Sequence, residues 1–132
     1  MNKTVALDTN VISHALRGDR PELLTTLKRI HTYYIPWAVY GELLAGIKSG
    51  GNPTRHLREL EDFLTHNHVQ LSEVTAASVA PFYANIYTAL KQQGTPISPN
   101  DLWIAAECVS QGLPLFTFDE DFAHVSQILR FA

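Results

Sequence analysis

The chain has 132 residues, and 45% of them are hydrophobic, which suits one folded domain over residues 1–132 and excludes an intrinsically disordered chain. Its formal net charge of −3 argues against a protein that holds nucleic acid through a broad basic surface. The single cysteine, Cys108, excludes an internal disulfide framework, and no hydrophobic run reaches the roughly 20 residues of a membrane helix, so we expect a soluble cytoplasmic protein.

Strand and helix patterns alternate along the first half of the chain. In chain order they predict a strand at residues 3–7, a helix at 11–18, a helix from Pro21, a strand at 32–36 and a helix at 38–49. The first helix ends at Gly18, a residue type that commonly closes helices. The sequence SGGNP then breaks the third helix.

The alternation continues in the second half. The patterns predict a helix at residues 54–67, a strand at 68–74, helices at 76–93 and 98–111, a strand at 113–118, a helical turn at 119–125 and a last strand at 127–131. The predicted fold class is therefore α/β, with a mainly parallel central sheet and helices on both faces. Ligands of such sheets bind outside the carboxyl ends of the strands.

Four acidic residues are predicted to lie at or near that edge. Asp8 and Asp119 each follow a predicted strand, and Asp101 opens a predicted helix in the sequence SPNDLW. Each of these three also fits a plain helix-capping role. Glu42 does not, because it lies in the middle of a helix among small and hydrophobic neighbours, where an unpaired carboxylate is costly to bury. The alternative for Glu42 is a solvent-exposed position beside Lys48 or an arginine.

Carboxylates that converge on one pocket repel one another, and a hard divalent cation removes that conflict. Mg²⁺, or Mn²⁺ in its place, prefers carboxylate and water ligands and keeps several waters for chemistry. The six histidines are scattered, and the His66–His68 pair is interpreted as a surface feature rather than a zinc site. The chain contains no G-x-x-x-x-G-K-[ST] and no G-x-G-x-x-G motif, so a nucleotide cofactor is not indicated. It also lacks a G-x-S-x-G motif, so a serine hydrolase is not indicated.

Four short blocks of the sequence resemble, in order, the motifs of the PIN-domain ribonucleases, and among them the VapC toxins of bacterial toxin–antitoxin pairs. The blocks are ALDTNVIS at 6–13, IPWAVYGELLAG at 35–46, SPNDLWIAA at 98–106 and PLFTFDEDF at 114–122. Each block alone is weakly specific, whereas all four in order within so short a chain form a specific pattern. The resemblance spans nearly the whole chain and implies a single PIN domain.

The resemblance implies metal-dependent hydrolysis of RNA. Asp8 and Asp101 would hold Mg²⁺, and Glu42 and Asp119 would complete the catalytic acidic cluster, with Asp121 as the alternative to Asp119. Three polar residues, each with an equally plausible turn or capping role, would orient carboxylates or water: Thr9, Asn10 and Thr117. Trp103 is bulkier than the aliphatic residue expected at its position, and we interpret it as packing in the core or in an interface.

The resemblance also implies two protein partners, a cognate antitoxin and a second copy of the chain in a homodimer. An antitoxin segment would need a hydrophobic groove, for which the early helices and the segment around them supply candidates that core packing also explains: Leu23, Leu24, Leu27, Tyr33, Trp37, Tyr40 and Leu44. The main alternative function is a catalytically weak or inactive PIN fold that acts as a protein-binding module. A receiver domain, a haloacid-dehalogenase-like enzyme and a two-histidine ribonuclease fit the sequence less well.

Overall fold

A computed structural model describes residues 2–66 and 68–131 of the chain. Four strands form one sheet in the order β3-β2-β1-β4, and every neighbouring pair is parallel. The strands are β1 (Asn2–Leu7), β2 (Ile30–Ile35), β3 (Val69–Leu71) and β4 (Leu115–Phe116). The predicted α/β class with a parallel sheet is confirmed.

Two helices connect each strand to the next along the chain. They are α1 (Thr9–Arg17), α2 (Pro21–Leu27), α3 (Trp37–Ser49), α4 (Pro53–Leu64), α5 (Ala76–Gln93) and α6 (Pro99–Gln111), and a 3₁₀ turn, Glu120–His124, follows β4. The predicted helix over 54–67 ends at Leu64 instead, and its predicted end, Asn67, lies outside the described residues. Gly18 closes α1 with φ +69, the left-handed conformation that glycine adopts without strain.

The central strand shows why helices must cover both faces of the sheet. Consecutive residues of a strand point to opposite faces, and Val5, Ala6 and Leu7 of β1 are all essentially unexposed. The helices contribute hydrophobic residues to the same core, including Ile12, Leu60, Ile86 and Ile104, each exposed by 1% or less. The carboxyl ends of the strands are therefore the exposed edge at which polar residues can gather.

The predicted last strand, residues 127–131, is wrong. The segment forms a single bridge between Arg130 and Leu115, supported by backbone hydrogen bonds from Leu115 to Leu129 and from Phe131 to Leu115. The predicted strand at 113–118 is likewise reduced to Leu115–Phe116. The physical reason is that β4 has only two residues, so it offers too short a ladder for another strand.

The predicted strand at 68–74 is also shorter than expected, since β3 covers only Val69–Leu71. In the part of the chain that the structure describes, none of the helices combines the length and the hydrophobicity that crossing a membrane requires.

Candidate metal centre

The four predicted acids come from four different elements at the carboxyl edge of the sheet. Asp8 follows β1 and caps α1, and Glu42 lies in the middle of α3. Asp101 lies in the first turn of α6, and Asp119 follows β4 and caps the 3₁₀ turn. The charges of Glu42, Asp119 and Asp8 all act on Asp101, so the four carboxylates share one electrostatic environment.

Asp8 is the most deeply placed of these acids, with 4% of its surface exposed. Its Oδ1 accepts a hydrogen bond from the Thr9 backbone N–H at 2.7 Å, and its Oδ2 accepts one from the Thr117 hydroxyl at 2.6 Å. The Asn10 amide donates a weaker one to Oδ2 at 3.4 Å. A carboxylate offers about four lone-pair sites, so these three donors leave room for one further partner.

Glu42 is half-buried, and its carboxylate points toward the start of α1 rather than toward a surface cation. The Thr9 hydroxyl donates to Glu42 Oε1 at 2.9 Å. This bond joins α3 to the residue next to Asp8, which ties the two carboxylates to the same corner of the molecule. The alternative was a solvent-exposed ion pair with Lys48 or an arginine. Among the described residues, Glu42 forms no ion pair.

At the start of α6, the helix-cap hydrogen bond uses the backbone of Asp101 and not its carboxylate. Ser98 is the N-cap residue, and its hydroxyl oxygen accepts a hydrogen bond from the Asp101 backbone N–H at 3.2 Å. The cap is therefore made by the serine side chain and the aspartate backbone, as expected for a serine at this position. The Asp101 carboxylate is half-buried, interacts with the Ser98 hydroxyl, and has an oxygen within 4.8 Å of oxygens of Asp119 and Asp121.

The loop after β4 brings a further acid into the cluster. Asp101, Asp119 and Asp121 each place one carboxylate oxygen within 4.8 Å of the other two. Among the described residues, no other group of three possible metal ligands is this close together. Asp119 Oδ1 accepts a hydrogen bond from the Asp121 backbone at 2.9 Å. Thr117 holds this loop, because its hydroxyl accepts from the Asp119 backbone at 2.9 Å while donating to Asp8.

The electrostatics of the cluster follow from burial and from like charge. Burial raises the pKa of Asp8, and the charges of Glu42 and Asp119 add to the effect, while hydrogen bonds from Thr117 and Thr9 oppose it. Burial likewise raises the pKa of Asp101 to about 6, a hydrogen bond with the Ser98 side chain opposes the rise, and charge repulsion from Asp8, Asp119 and Glu42 adds to it. The carboxylates are therefore held together at a free-energy cost that a bound cation would offset.

The donor set fits a hard divalent cation. It consists of carboxylate oxygens with neighbouring hydroxyl and amide groups, and the one cysteine, Cys108, is fully buried inside α6. Oxygen ligands favour Mg²⁺ or Mn²⁺, whereas zinc sites usually contain histidine or cysteine. The residues at this edge are thus suited to a hard divalent cation, with Asp101 and Asp119 half-buried and Asp8 buried.

The predicted supporting residues occupy the expected places. Thr9 and Thr117 each hydrogen-bond a carboxylate, and Asn10 bridges two segments, because its side-chain oxygen accepts from the Phe118 backbone at 3.2 Å. Trp103 lies outside the acidic cluster. It packs against Trp37 and Tyr83, with ring centroids 5.5 and 4.1 Å away.

Sequence reasoning missed one buried acid, Glu107, which is fully buried in α6 and hydrogen-bonded to β2 and α3. The same signal that singled out Glu42, an acid in the middle of a hydrophobic helix, applies to Glu107 in the sequence IAAECV.

Of the residues suggested for a hydrophobic groove, Leu23 and Leu27 belong to the core, whereas Leu24 is 55% exposed.

Comparison with known proteins identifies the fold and the family. The family model of the PIN domain matches residues 5–128. Ribonuclease VapC2 of Haemophilus influenzae strain Rd is 30% identical over 114 residues, which cover 83% of this chain and 81% of that protein.

Two solved structures share the fold. VapBC2 from Rickettsia felis, solved bound to a DNA fragment from its promoter, aligns with a TM-score of 0.86 and 23% identity over 97% of each chain. VapBC-5 from Mycobacterium tuberculosis, described as a member of the VapBC family of toxin–antitoxin systems, aligns with a TM-score of 0.70 and 24% identity over 97% of this chain and 98% of that chain. With its sequence and its fold in agreement, the chain belongs to the PIN-domain family and, within that family, to the VapC group.

Proposed function

We propose that this protein is a Mg²⁺-dependent endoribonuclease and the toxin of a VapBC-like toxin–antitoxin pair, with residues 1–132 acting as a single PIN domain. The observation that carries the proposal is that carboxylates from four elements at the carboxyl edge of the sheet repel one another, with oxygens of Asp101, Asp119 and Asp121 within 4.8 Å of one another. A cation bound there would offset the repulsion between these carboxylates. The name of the Haemophilus influenzae relative, a ribonuclease, supports RNA as the substrate.

In this proposal Asp8 and Asp101 hold the metal ion, and Glu42 and Asp119 complete the catalytic cluster. Mg²⁺ would supply Lewis-acid chemistry, lowering the pKa of a bound water and neutralising charge on the scissile phosphate. The residues of the chain orient the site: Thr9 fixes Glu42, and Thr117 fixes Asp8 while holding the loop that carries Asp119. Asp121 is the alternative to Asp119, since its carboxylate also reaches the cluster.

A cleft next to the cluster supplies room for a partner. It has a volume of about 670 Å³, runs between α1, α3 and α4, and includes Thr9 and Glu42 at one end. Its walls combine the hydrophobic side chains of Leu16 and Ile47 with the charged side chain of Arg55. We propose that the C-terminal segment of the antitoxin lies in this cleft and points a basic side chain at the carboxylates, which blocks the site.

A second surface suits a homodimer. Trp37, Trp103, Tyr83 and Tyr87 form a continuous row in which neighbouring ring centroids lie 4.1 to 6.4 Å apart. Trp37 is 38% exposed and Tyr87 is 48% exposed, and aromatic residues of this kind are enriched in the centres of protein interfaces. We propose that this aromatic row packs against a second copy of the chain. We also propose that the protein acts in the cytoplasm, where cellular RNA is found.

The experiment that tests the enzyme is an RNA cleavage assay with the purified protein. We expect cleavage with Mg²⁺ or Mn²⁺, and its loss with EDTA. Product ends separate this mechanism from attack by the RNA 2′-hydroxyl, because water attack leaves a 5′-phosphate and a 3′-hydroxyl. Cyclic 2′,3′-phosphate ends, or full activity in EDTA, would contradict the proposal.

A protein-binding module without activity is the alternative function. It predicts that metal-loaded protein leaves every RNA intact, including total cellular RNA, while still binding its partner protein. Asp8→Asn provides the matched control, since any cleavage that survives this change comes from a contaminating nuclease.

A further inference from the structure

Glu107 is a buried acid that the proposed chemistry does not use. It lies in α6 with no exposed surface, and it is among the largest fully buried side chains of the described residues. Burial of a carboxylate costs several kcal/mol unless hydrogen bonds compensate it. Both of its oxygens have such partners, and those partners belong to other elements of the fold.

The first partner is the phenol of Tyr34 in β2, whose hydroxyl donates to Glu107 Oε2. Burial and then this hydrogen bond raise the pKa of Tyr34, so the phenol remains protonated and able to donate. The second partner is the backbone N–H of Trp37, which donates to Oε1 at 3.1 Å. Glu107 thus joins α6 to the end of β2 and to the start of α3.

The bond to Trp37 is a helix cap supplied from outside the helix. Trp37 is the first residue of α3, and the residue before it is Pro36, which has no side chain able to accept a hydrogen bond. The first backbone N–H groups of a helix need partners, and the positive end of the helix dipole favours a negative group. Glu107, which lies in α6, supplies both a hydrogen-bond acceptor and a carboxyl group at the start of α3.

This connection has a consequence for the acidic cluster, because it joins the two helices that carry two of the acids. On α3 the bonded residue, Trp37, precedes Glu42 by five positions. On α6 Glu107 follows Asp101 by six positions. The two helices also pack directly against each other. A shift of α3 relative to α6 would therefore break the bond to Glu107 and move Glu42 away from Asp101 at the same time.

We propose that Glu107 is a positioning residue of the metal centre, which fixes Glu42 relative to Asp101 through its hydrogen bonds to Trp37 and Tyr34. This inference rests on the proposed metal-dependent function, and it adds a residue that contacts neither metal nor RNA. Groups that hydrogen-bond metal ligands directly change metal affinity by about 10- to 100-fold when they are lost, and Glu107 acts through the helices, so we expect the lower end of that range.

The test compares three variants by titration calorimetry with Mn²⁺ on metal-free, folded protein. Glu107→Leu keeps the volume but removes both acceptors, and we expect about 10-fold weaker binding or worse. Glu107→Gln keeps an acceptor for Trp37, and we expect a change of less than about threefold, a rescue by the conservative variant. Tyr34→Phe removes one donor and should lie between them. Leu90→Ala, a buried change in α5 outside these hydrogen bonds, is the matched control for lost stability.

A second measurement needs no metal. Hydrogen exchange of the Trp37 backbone N–H should become at least 10-fold faster in Glu107→Leu, and should change little in Glu107→Gln or Leu90→Ala. If Glu107→Leu does not fold, Tyr34→Phe decides, with an expected loss of affinity of at least threefold. Wild-type Mn²⁺ affinity in all folded Glu107 and Tyr34 variants would overturn the positioning role. Failure of the wild-type protein to bind Mn²⁺ would instead overturn the proposed function.

Discussion

Replacement of Asp101 by asparagine separates a metal ligand from a helix-capping residue. The N-cap bond at the start of α6 uses the Asp101 backbone and the Ser98 hydroxyl, and the substitution leaves both in place. What changes is the carboxylate, whose pKa is raised from 3.8 to about 6 by burial and by the neighbouring acids. We therefore expect the metal-free Asp101→Asn protein to be more stable than the wild type at neutral pH.

The size of the effect follows from the pKa. A rise from 3.8 to about 6 corresponds to about 3 kcal/mol if it is fully expressed, and solvent screening of a half-buried carboxyl reduces this to roughly 1.5 kcal/mol. Loss of an acid from the first helical turn costs about 0.5 kcal/mol through the helix dipole. The net gain is therefore about 1 kcal/mol, or roughly 4 °C in Tm for a domain of this size.

The sign of the pH dependence is fixed by the direction of the shift. The Asp101 pKa is higher in the folded protein than in the unfolded chain, so between about pH 4 and 6 the folded state binds more protons. Wild-type stability attributable to Asp101 is thus lost as the pH rises through this window. The advantage of Asp101→Asn should be present above about pH 6 and absent below about pH 4.

The assay is a series of thermal melts in EDTA from pH 4 to pH 8, repeated at pH 7 with Mn²⁺. Mn²⁺ should raise the Tm of the wild type, because it binds only the folded state, and should have little effect on the variant. Ser98→Ala is the control, since it removes the cap at a cost of about 1 kcal/mol but keeps the Asp101 carboxylate, so its Tm should still rise with Mn²⁺. A lower Tm for Asp101→Asn than for the wild type at pH 7 in EDTA would refute the assignment of Asp101 to the acidic cluster.

Four further substitutions test the rest of the site. Glu42→Gln should reduce RNA cleavage about 100-fold and weaken Mn²⁺ binding without unfolding the protein, and unchanged cleavage together with unchanged affinity would remove Glu42 from the site. Asp119→Asn should lower Mn²⁺ affinity more than Asp121→Asn when both are titrated calorimetrically, and the reverse order would make Asp121 the fourth acid. Thr117→Val should destabilise the fold by about 1–3 kcal/mol in denaturant melts and raise the pKa of Asp8 further, because it leaves a buried carboxylate oxygen with only the weaker Asn10 donor.

The sequence alone determined most of the local structure and the identity of the candidate acids. Hydrophobic periodicity and capping residues are short-range signals, and they placed α5 at Ala76–Gln93 as observed and α6 within one residue of its observed start at Pro99. The same reasoning marked Glu42 as unusual, because an acid on a hydrophobic helix face needs a partner wherever the helix packs. These conclusions depend on neighbours within one or two helical turns.

Only the tertiary structure decided which distant groups meet. Thr117 bonds Asp8 across 109 positions and Glu107 bonds Trp37 across 70, and no local pattern encodes such pairs. Packing also leaves β4 only two residues long, and the segment 127–131 forms one bridge to it instead of a strand. Local periodicity records what a segment can form, whereas the hydrogen bonds available after packing determine how much of it forms and which acids converge.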